Sequence, residues 1–450
     1  MNDTIAAIST SLGVGAISII RVSGEDSISI VNKIFRGNDL TKSETHKIHY
    51  GYIIDNDEVI DEVLVSVLLA PKTFTRENVV EINAHGGIAT TNKILEILLL
   101  NGCRLAEPGE FTKRAFLNGR IDLTQAEGVM NLINSKTEKA RSLALNEVRG
   151  NVSKLIVNLR QSILEILANI EVNIDYPEYE DIEIITHQKI EKELVNIEKE
   201  LKQILSESEN GKIINEGITT SIVGKPNVGK SSLLNRLLDE NKAIVTEIEG
   251  TTRDCVEGTI NIDGVLFRFI DTAGIRETDD IVESIGVKKS LDLIEKSELI
   301  IYLLNNNEPL TDKEIEILNK VKEKNYIIVV NKCDLESKID LTKLPKDVIK
   351  MSVVNDEGIK ELKSRIKQIF NLDKIETNDL TYLTSSRNIA IVKQCLEKIV
   401  EVREGINNEV PIDIIEIDIK EIWNLLGKII GETYEDELIN QLFSQFCLGK

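Results

Sequence analysis

Lys230 and Ser231 close the run Gly224-Lys225-Pro226-Asn227-Val228-Gly229-Lys230-Ser231, which fits the pattern GxxxxGK[ST]. A lysine and a hydroxyl at that spacing suit a polyphosphate. Backbone N–H groups from Asn227, Val228, Gly229 and the helix start at Ser231 and Ser232 cradle phosphate oxygens, Lys230 reaches the β and γ phosphates, and the Ser231 hydroxyl holds Mg²⁺. Asp271-Thr272-Ala273-Gly274 follows, bringing a carboxylate towards Mg²⁺ and the Gly274 amide towards the γ phosphate. Asn331-Lys332-Cys333-Asp334 then offers the Asp334 carboxylate to guanine N1–H and its 2-amino group. Adenine lacks both donors in that arrangement, so a buried Asp334 would be left unpaired and ATP rejected. Between the first two motifs lies Gly250-Thr251-Thr252-Arg253-Asp254, the expected first switch, with Thr252 sensing the γ phosphate through Mg²⁺. Ser352, in Met351-Ser352-Val353, falls at a further base contact, and Val353 in place of the usual alanine leaves that contact to the backbone. These residues predict a site for GTP and its hydrolysis.

The catalytic device is less regular. Ile275 stands after Asp-Thr-Ala-Gly, where Ras-like enzymes use a glutamine to orient the attacking water. Arg276 acting in trans as a finger and Glu283 polarising the water are the two candidates. Asn227 adds a neutral carbonyl beside the phosphates, able to help coordinate a monovalent cation in the place of a finger.

Apolar runs position these groups. Ile218 to Val223 reads as a buried strand feeding the loop, Ser232 to Leu238 as a helix leaving it, and Val265 to Ile270 and Ile327 to Val330 as strands ending at the later motifs. The first ~118 residues mix short β-branched runs, such as Ala16 to Val22 and Val63 to Leu69, with a helical Thr91 to Leu100, which suggests a small α+β domain. His85-Gly86-Gly87 reads as a tight turn there. A helical region follows. Leu145, Val148, Val152, Leu155, Leu159, Ile163, Ile166 and Ile170 form one stripe, and Ile190, Leu194, Ile197, Leu201 and Ile204 another. Lys136, Lys139, Arg141, Arg149, Lys154 and Arg160 around the first stripe read as a solvated face or a local basic patch. Helix patterns return in Ile389, Val392, Leu396, Ile399 and Val400. The expected fold class is therefore α/β and all-α multidomain, with an N-terminal α+β domain and a helical bundle into which a Ras-like P-loop GTPase domain is inserted. The boundaries expected are 1–118, 119–214, 215–373 and 374–450.

The chain has 450 residues, enough for about three domains. Its formal charge of −21 excludes a broadly basic grip on nucleic acid, so an RNA would be held by a local patch, by shape or with a partner's help. Five scattered cysteines without a CxxC pair argue against a disulfide framework and fit a reducing cytoplasm. No apolar run approaches a membrane span.

Over its whole length the chain resembles the MnmE (TrmE) family of tRNA-modification GTPases. The matching residues are Pro108 to Asn118 (Pro-Gly-Glu-Phe-Thr-Lys-Arg-Ala-Phe-Leu-Asn), Asp122-Leu123-Thr124-Gln125-Ala126-Glu127, the phosphate loop with Asn227, Gly250 to Asp254, and Phe446-Cys447-Leu448-Gly449-Lys450. The resemblance implies a homodimer held by N-terminal domains that bind a tetrahydrofolate derivative, 5-formyl- or 5,10-methylene-tetrahydrofolate. Its folate contacts fall on Arg21, Glu81, Arg120 and Lys450. Arg120 replaces the lysine of some relatives, keeping the charge but altering the donor geometry. For the GTPase domain the resemblance implies K⁺-stimulated hydrolysis through G-domain dimerisation. K⁺ would be held by Asn227 and by Thr246, Ile248 and Thr251 of the loop that also contains Glu247, Glu249 and Gly250. Mg²⁺ falls on Ser231 and Thr252, and the water-orienting acid on Glu283. The implied task is addition of a carboxymethylaminomethyl or aminomethyl group to C5 of the wobble uridine of certain tRNAs, with the FAD-containing partner MnmG in a heterotetramer or larger complex. A ribosome-assembly switch and a folate enzyme with a regulatory G domain are the rival expectations.

Overall fold

A computed structural model describes residues 3–175, 187–240, 256–270, 291–372, 383–432, 436–446 and 449. The chain divides into two compact units, one of Met1–Met130, Glu147–Glu193 and Glu397–Lys450, the other of Asn131–Asn146 and Leu194–Leu396.

The first unit contains strands β1 (Ile5–Ile8), β2 (Ile17–Ser23), β3 (Phe35–Arg36), β4 (Lys47–Asp55), β5 (Glu58–Leu68), β6 (Val79–His85) and β7 (Arg104–Leu105). They form one sheet in the order β3-β4-β5-β6-β2-β1-β7. Neighbours run antiparallel except β1 and β7, which are parallel. Alternation decides which side is buried. Ile20, Val22, Val63, Val65, Val67, Val80, Ile82 and Ala84 all turn to one face, where helices Ser27–Ile34 and Ile88–Leu100 lay Ile30, Val31, Ile34, Ile94, Ile97 and Leu98 on them. Each such aliphatic side chain contributes roughly 1.5–3 kcal/mol on burial. Residues of the other parity, among them Arg21 and Glu81, are left on the opposite face, register partners on β2 and β6.

Helices Asn151–Asp175 and Ile412–Ile430 pack along each other in the same unit. Here the expected stripe needs correction. The chain is not one helix from Leu145 onward, because Gly150 takes a left-handed φ of 76° between Glu138–Val148 and Asn151–Asp175. That break resets the helical phase, so Leu143 and Ala144 are buried rather than Leu145 and Val148; past it Val152, Leu159, Ile163, Ile166 and Ile170 are buried as expected, with Ile156 in place of the half-buried Leu155. Arg160 is not on a solvated face either. It is 6% exposed, its guanidinium 4.1 Å from the Trp423 ring centroid and paired with Glu432. Gly427 makes room, since a Cβ there would lie 3.2 Å from Arg160 Nη2. The second expected stripe, Ile190 to Ile204, is buried at all five positions. In the third, Val400 is exposed, and Cys395 and Val402 are buried beside Val392 and Ile399.

The second unit holds strands β8 (Ile218–Val223), β9 (Val256–Ile262), β10 (Val265–Ile270), β11 (Leu299–Asn305), β12 (Asn325–Asn331) and β13 (Ile349–Lys350). Their order is β13-β12-β11-β8-β10-β9, parallel apart from β9. A parallel sheet covered on both faces needs a continuous apolar strand at its centre. β11 supplies it, buried at every position. Leu299, Ile301 and Leu303 meet Leu233, Leu237, Leu362 and Ile366 of helices Lys230–Glu240 and Ile359–Ile369, while Ile300, Tyr302 and Leu304 meet Leu318 and Val321 of helix Asp312–Val321. The N-terminal α+β part, the helices and the P-loop α/β part thus agree with the expected fold class. Among the described residues no helix is long and apolar enough to cross a membrane. Cys103 and Cys395 are buried, and burial pushes each thiol up to about 12, which makes them apolar filling rather than reactive groups.

Candidate guanine-nucleotide site

β8 ends at the phosphate loop and helix Lys230–Glu240 begins where it closes, so the first helical N–H groups point into the loop. Two backbone positions make the turn. Asn227 has a φ of 61° and Gly229 a φ of 100°. Asparagine tolerates the left-handed region through its short polar side chain, and it stands exposed at the loop's crest. Gly229 has a second constraint, because a Cβ there would collide with the Asn331 amide. Val228, by contrast, is 1% exposed and fastens the loop to the core. The Lys230 ammonium donates to the carbonyls of Gly224 at 2.8 Å and Lys225 at 2.7 Å, and burial pushes its pKa down. Among the described residues its partners are carbonyl dipoles, and a desolvated ammonium so placed is poised for an anion.

β12 ends at the second motif. Asn331, 3% exposed, donates from Nδ2 to the Val228 carbonyl at 2.8 Å and accepts the Val353 N–H at 3.3 Å. Lys332 takes a φ of 62°, and the Cys333 amide bonds the Met351 carbonyl at 3.0 Å. Those constraints present Asp334. The sequence reading takes this carboxylate as buried, whereas it is exposed at the rim. Ser352 is 0% exposed and its side chain is engaged. Its Oγ donates to Asp334 Oδ1 at 2.6 Å, which orients the carboxylate and leaves any direct base contact at this position to the backbone. Nothing in the spacing of Asp334 and Ser352 reveals that bond; the strand-end register of β12 and β13 creates it.

Thr246, Glu247, Ile248, Glu249, Gly250, Thr251, Thr252, Arg253 and Asp254 lie outside the described residues, as do Asp271, Thr272, Ala273, Gly274, Ile275, Arg276, Glu283, Cys447 and Lys450.

In the first unit Arg21 donates to Glu81 Oε1 from Nε at 2.9 Å and Nη2 at 2.8 Å. The Arg21 guanidinium lies 5.7 Å from the Phe111 ring centroid, and Arg120 lies 5.8 Å from that of Phe74. Phe74 and Phe111 share a cluster with Ile5, Ala7 and Ala106. Arg21, Glu81 and Arg120, far apart in sequence, are thereby gathered round one aromatic patch. Glu81 keeps acceptor capacity beyond its bond to Arg21, since a carboxylate offers about four lone-pair sites. The chain's far end also arrives here: Ser9 Oγ donates to the Gly449 carbonyl at 3.0 Å. The His85-Gly86-Gly87 turn has a packing reason, as a Cβ on Gly86 would sit 2.6 Å from the Gly15 carbonyl carbon.

Sequence reading missed the charges beneath this patch. Arg114, 1% exposed, donates to Glu110 at 3.0 Å, Asp3 at 2.8 Å and Glu77 at 3.1 Å, and Arg104 donates to Glu110 at 2.5 Å and Asp3 at 2.7 Å. The i,i+4 spacing of Glu110 and Arg114 is the signal that was available. Burial pushes the Glu110 carboxyl up, but hydrogen bonds from Arg104, the Glu107 amide and Arg114 outweigh it and hold the pKa below its ordinary 4.5. A carboxylate depressed in the folded state stabilises above its unfolded value and loses that contribution as pH falls through the folded one. The expected result is a melting temperature that is steady above pH 4.5 and drops below it, with a smaller drop in Glu110→Gln. Equal acid sensitivity in both proteins would remove Glu110 from the account.

A phosphate loop with its lysine on a helix N-terminus, whose Val228 carbonyl accepts from Asn331 of a second loop that presents the Asn-Lys-x-Asp carboxylate, defines a guanine-nucleotide-binding P-loop protein. Residues 4–120 match the family model described as GTP-binding protein TrmE N-terminus, and residues 123–447 that of the MnmE helical domain. The tRNA modification GTPase MnmE of Bacillus cytotoxicus is 52% identical over 455 residues, covering 100% of this chain and 99% of its own. That of Streptococcus thermophilus is 52% identical over 450 residues, covering 100% and 98%. The chain belongs to the MnmE family. Among solved structures, the G domain of the T. maritima FeoB iron transporter is similar at 24% identity over 34% of this chain and 98% of its own, with a TM-score of 0.25.

Proposed function

We propose that this chain is a GTP-hydrolysing component of the machinery that adds a carboxymethylaminomethyl or aminomethyl group to C5 of the wobble uridine in certain tRNAs. The observation that carries this reading is 52% identity, end to end, with proteins named as tRNA modification GTPases. The four segments 1–118, 119–214, 215–373 and 374–450 serve as a folate-binding and dimerisation domain, the first part of a helical domain, the G domain and the second part of the helical domain. The setting is the cytoplasm, the chain a homodimer, and the partner the FAD-containing MnmG in a heterotetramer or larger assembly.

Lys230 and the loop amides hold the β and γ phosphates, Asp334 and the Asn331 frame hold guanine, and Ser231 and Thr252 hold Mg²⁺. Asn227, Thr246, Ile248 and Thr251 suit a K⁺ ion, whose charge would stabilise the transferring phosphoryl group where other enzymes bring an arginine. The exposed Asn227 at the loop's crest supports that role. Glu283 orients the attacking water. Arg21, Arg120 and Lys450 suit the carboxylates of a folate tail and Glu81 the adjacent N–H donors of a pterin; the folate derivative supplies the one-carbon unit when bound. The residues of the phosphate site suit a triphosphate rather than the chemistry of a uridine, so hydrolysis would drive conformational cycling.

The test is mass spectrometry of tRNA nucleosides from cells lacking the gene. C5-modified wobble uridines are expected to disappear and to return with the wild-type chain but not with Glu283→Ala. An unchanged profile would point instead to a docking switch on the ribosome. Two rates follow from the same reading. GTP turnover is expected to rise at least about tenfold in KCl over NaCl, and equal rates would remove the cation. Glu283→Ala is expected to bind GTP normally and lose about a hundredfold in kcat, and an unchanged kcat would return Glu283 to a solvated helix face.

A further inference from the structure

Lys225, the second residue of the phosphate loop, sends its side chain to helix Asp312–Val321. Its ammonium meets Glu314 Oε2 at 2.8 Å, and the carboxylate is 8% exposed. Glu314 is held from several sides. It accepts the Thr311 N–H at 2.9 Å and the Thr311 hydroxyl at 2.8 Å in a capping box that starts helix Asp312–Val321. Its own carbonyl accepts the hydroxyl of Tyr302, a 1% exposed residue of the central strand β11, at 3.0 Å. Glu314 is therefore a fixed point of the core. Lys225 meanwhile uses its backbone carbonyl to receive the Lys230 ammonium at 2.7 Å. One residue thus joins the fixed carboxylate, through its side chain, to the phosphate-binding lysine, through its carbonyl.

We propose that the Lys225–Glu314 pair is a positioning device for the triphosphate, a tether that sets where the Lys230 ammonium stands. It rests on the reading of this loop as the GTP site. A buried carboxylate is costly to leave without its cation, which keeps the tether closed. The geometry of a binding lysine tightens affinity most when its support is rigid. Lys225 itself touches no phosphate and is a positioning residue.

Titration of the full-length protein with a fluorescent GDP, alongside steady-state GTP hydrolysis, tests the tether. Lys225→Met is expected to weaken GDP binding and raise KM about tenfold, with kcat at saturating GTP within about twofold of wild type. Glu314→Gln keeps an oxygen for the Thr311 cap and is expected to give the same loss. The double variant is expected to be no worse than either single one, the signature of two groups acting as a unit, and Lys225→Arg to restore affinity. Wild-type binding by Lys225→Met, or losses that multiply in the double variant, would overturn the tether while leaving the GTP site intact. A wild-type chain that binds no guanine nucleotide would overturn the site and the tether together.

Discussion

Asp334→Asn is expected to weaken GDP binding about a thousandfold and to shift preference to xanthosine diphosphate. The argument is one of donors and acceptors. Guanine presents N1–H and a 2-amino group side by side, and a carboxylate accepts from both. An asparagine offers one carbonyl and one NH₂, and the NH₂ faces the amino group donor to donor. Xanthine carries a carbonyl where guanine has the amine, so the same NH₂ gains an acceptor. The Ser352 hydroxyl, which donates to Asp334 Oδ1 at 2.6 Å, orients the substituted amide by the same bond, so the change alters recognition without unfolding the rim. Parallel titrations with fluorescent GDP and xanthosine diphosphate decide it. Undiminished GDP affinity would mean that the base is read elsewhere.

Arg114→Met is expected to lower the unfolding free energy of the first unit by about 3–5 kcal/mol. Methionine fills much of the arginine's volume, so the loss is electrostatic. It takes one of two guanidinium partners from Glu110, which is buried with a 3% exposed residue surface, and removes the guanidinium facing Glu77. Arg104 still reaches Glu110 at 2.5 Å, which keeps the expected cost below that of an isolated buried charge. Urea unfolding at pH 7, and again below pH 4.5, measures it. The deficit is expected to shrink in acid, where a protonated Glu110 no longer needs the guanidinium. A deficit that holds constant with pH would assign the effect to packing, and one under about 1 kcal/mol would show that the network is neutral overall.

Such groups show how unevenly structure is written in sequence. The phosphate loop is legible because glycines, lysine and serine must occur at one spacing between a strand and a helix. The Ile327 to Val330 run of β12 is legible because a strand buried on both faces has to be apolar there. The run from Pro108 to Asn118 identifies a family, yet only the fold explains it. Gly109 takes a left-handed turn against Phe443 and Phe446, Phe111 lies under Arg21, Arg114 pairs with Glu110, Asp3 and Glu77, and Asn118 donates to the Thr75 carbonyl at 2.6 Å. These partners come from distant stretches of chain, which no local periodicity can announce. The phase error at Gly150 has a different origin: a stripe read at three- and four-residue spacing continues across a left-handed glycine by accident. Asp122, Thr124 and Gln125 were read as a family signature as well. They form a helix cap in which the Asp122 amide donates to Gln125 Oε1 at 3.0 Å and the Gln125 amide to Asp122 Oδ1 at 3.0 Å.

The hydrogen bond from Asn331 to the Val228 carbonyl, over a glycine that leaves it no spare room, has a consequence for how length is measured. If, as proposed, one loop reads the base and the other the phosphates, this bond makes them one rigid piece, and the span between them is a ruler set before any nucleotide arrives. A ruler of that kind registers base and inner phosphates and ends there. It treats the spent and unspent nucleotide alike, and telling them apart falls to segments beyond its far edge.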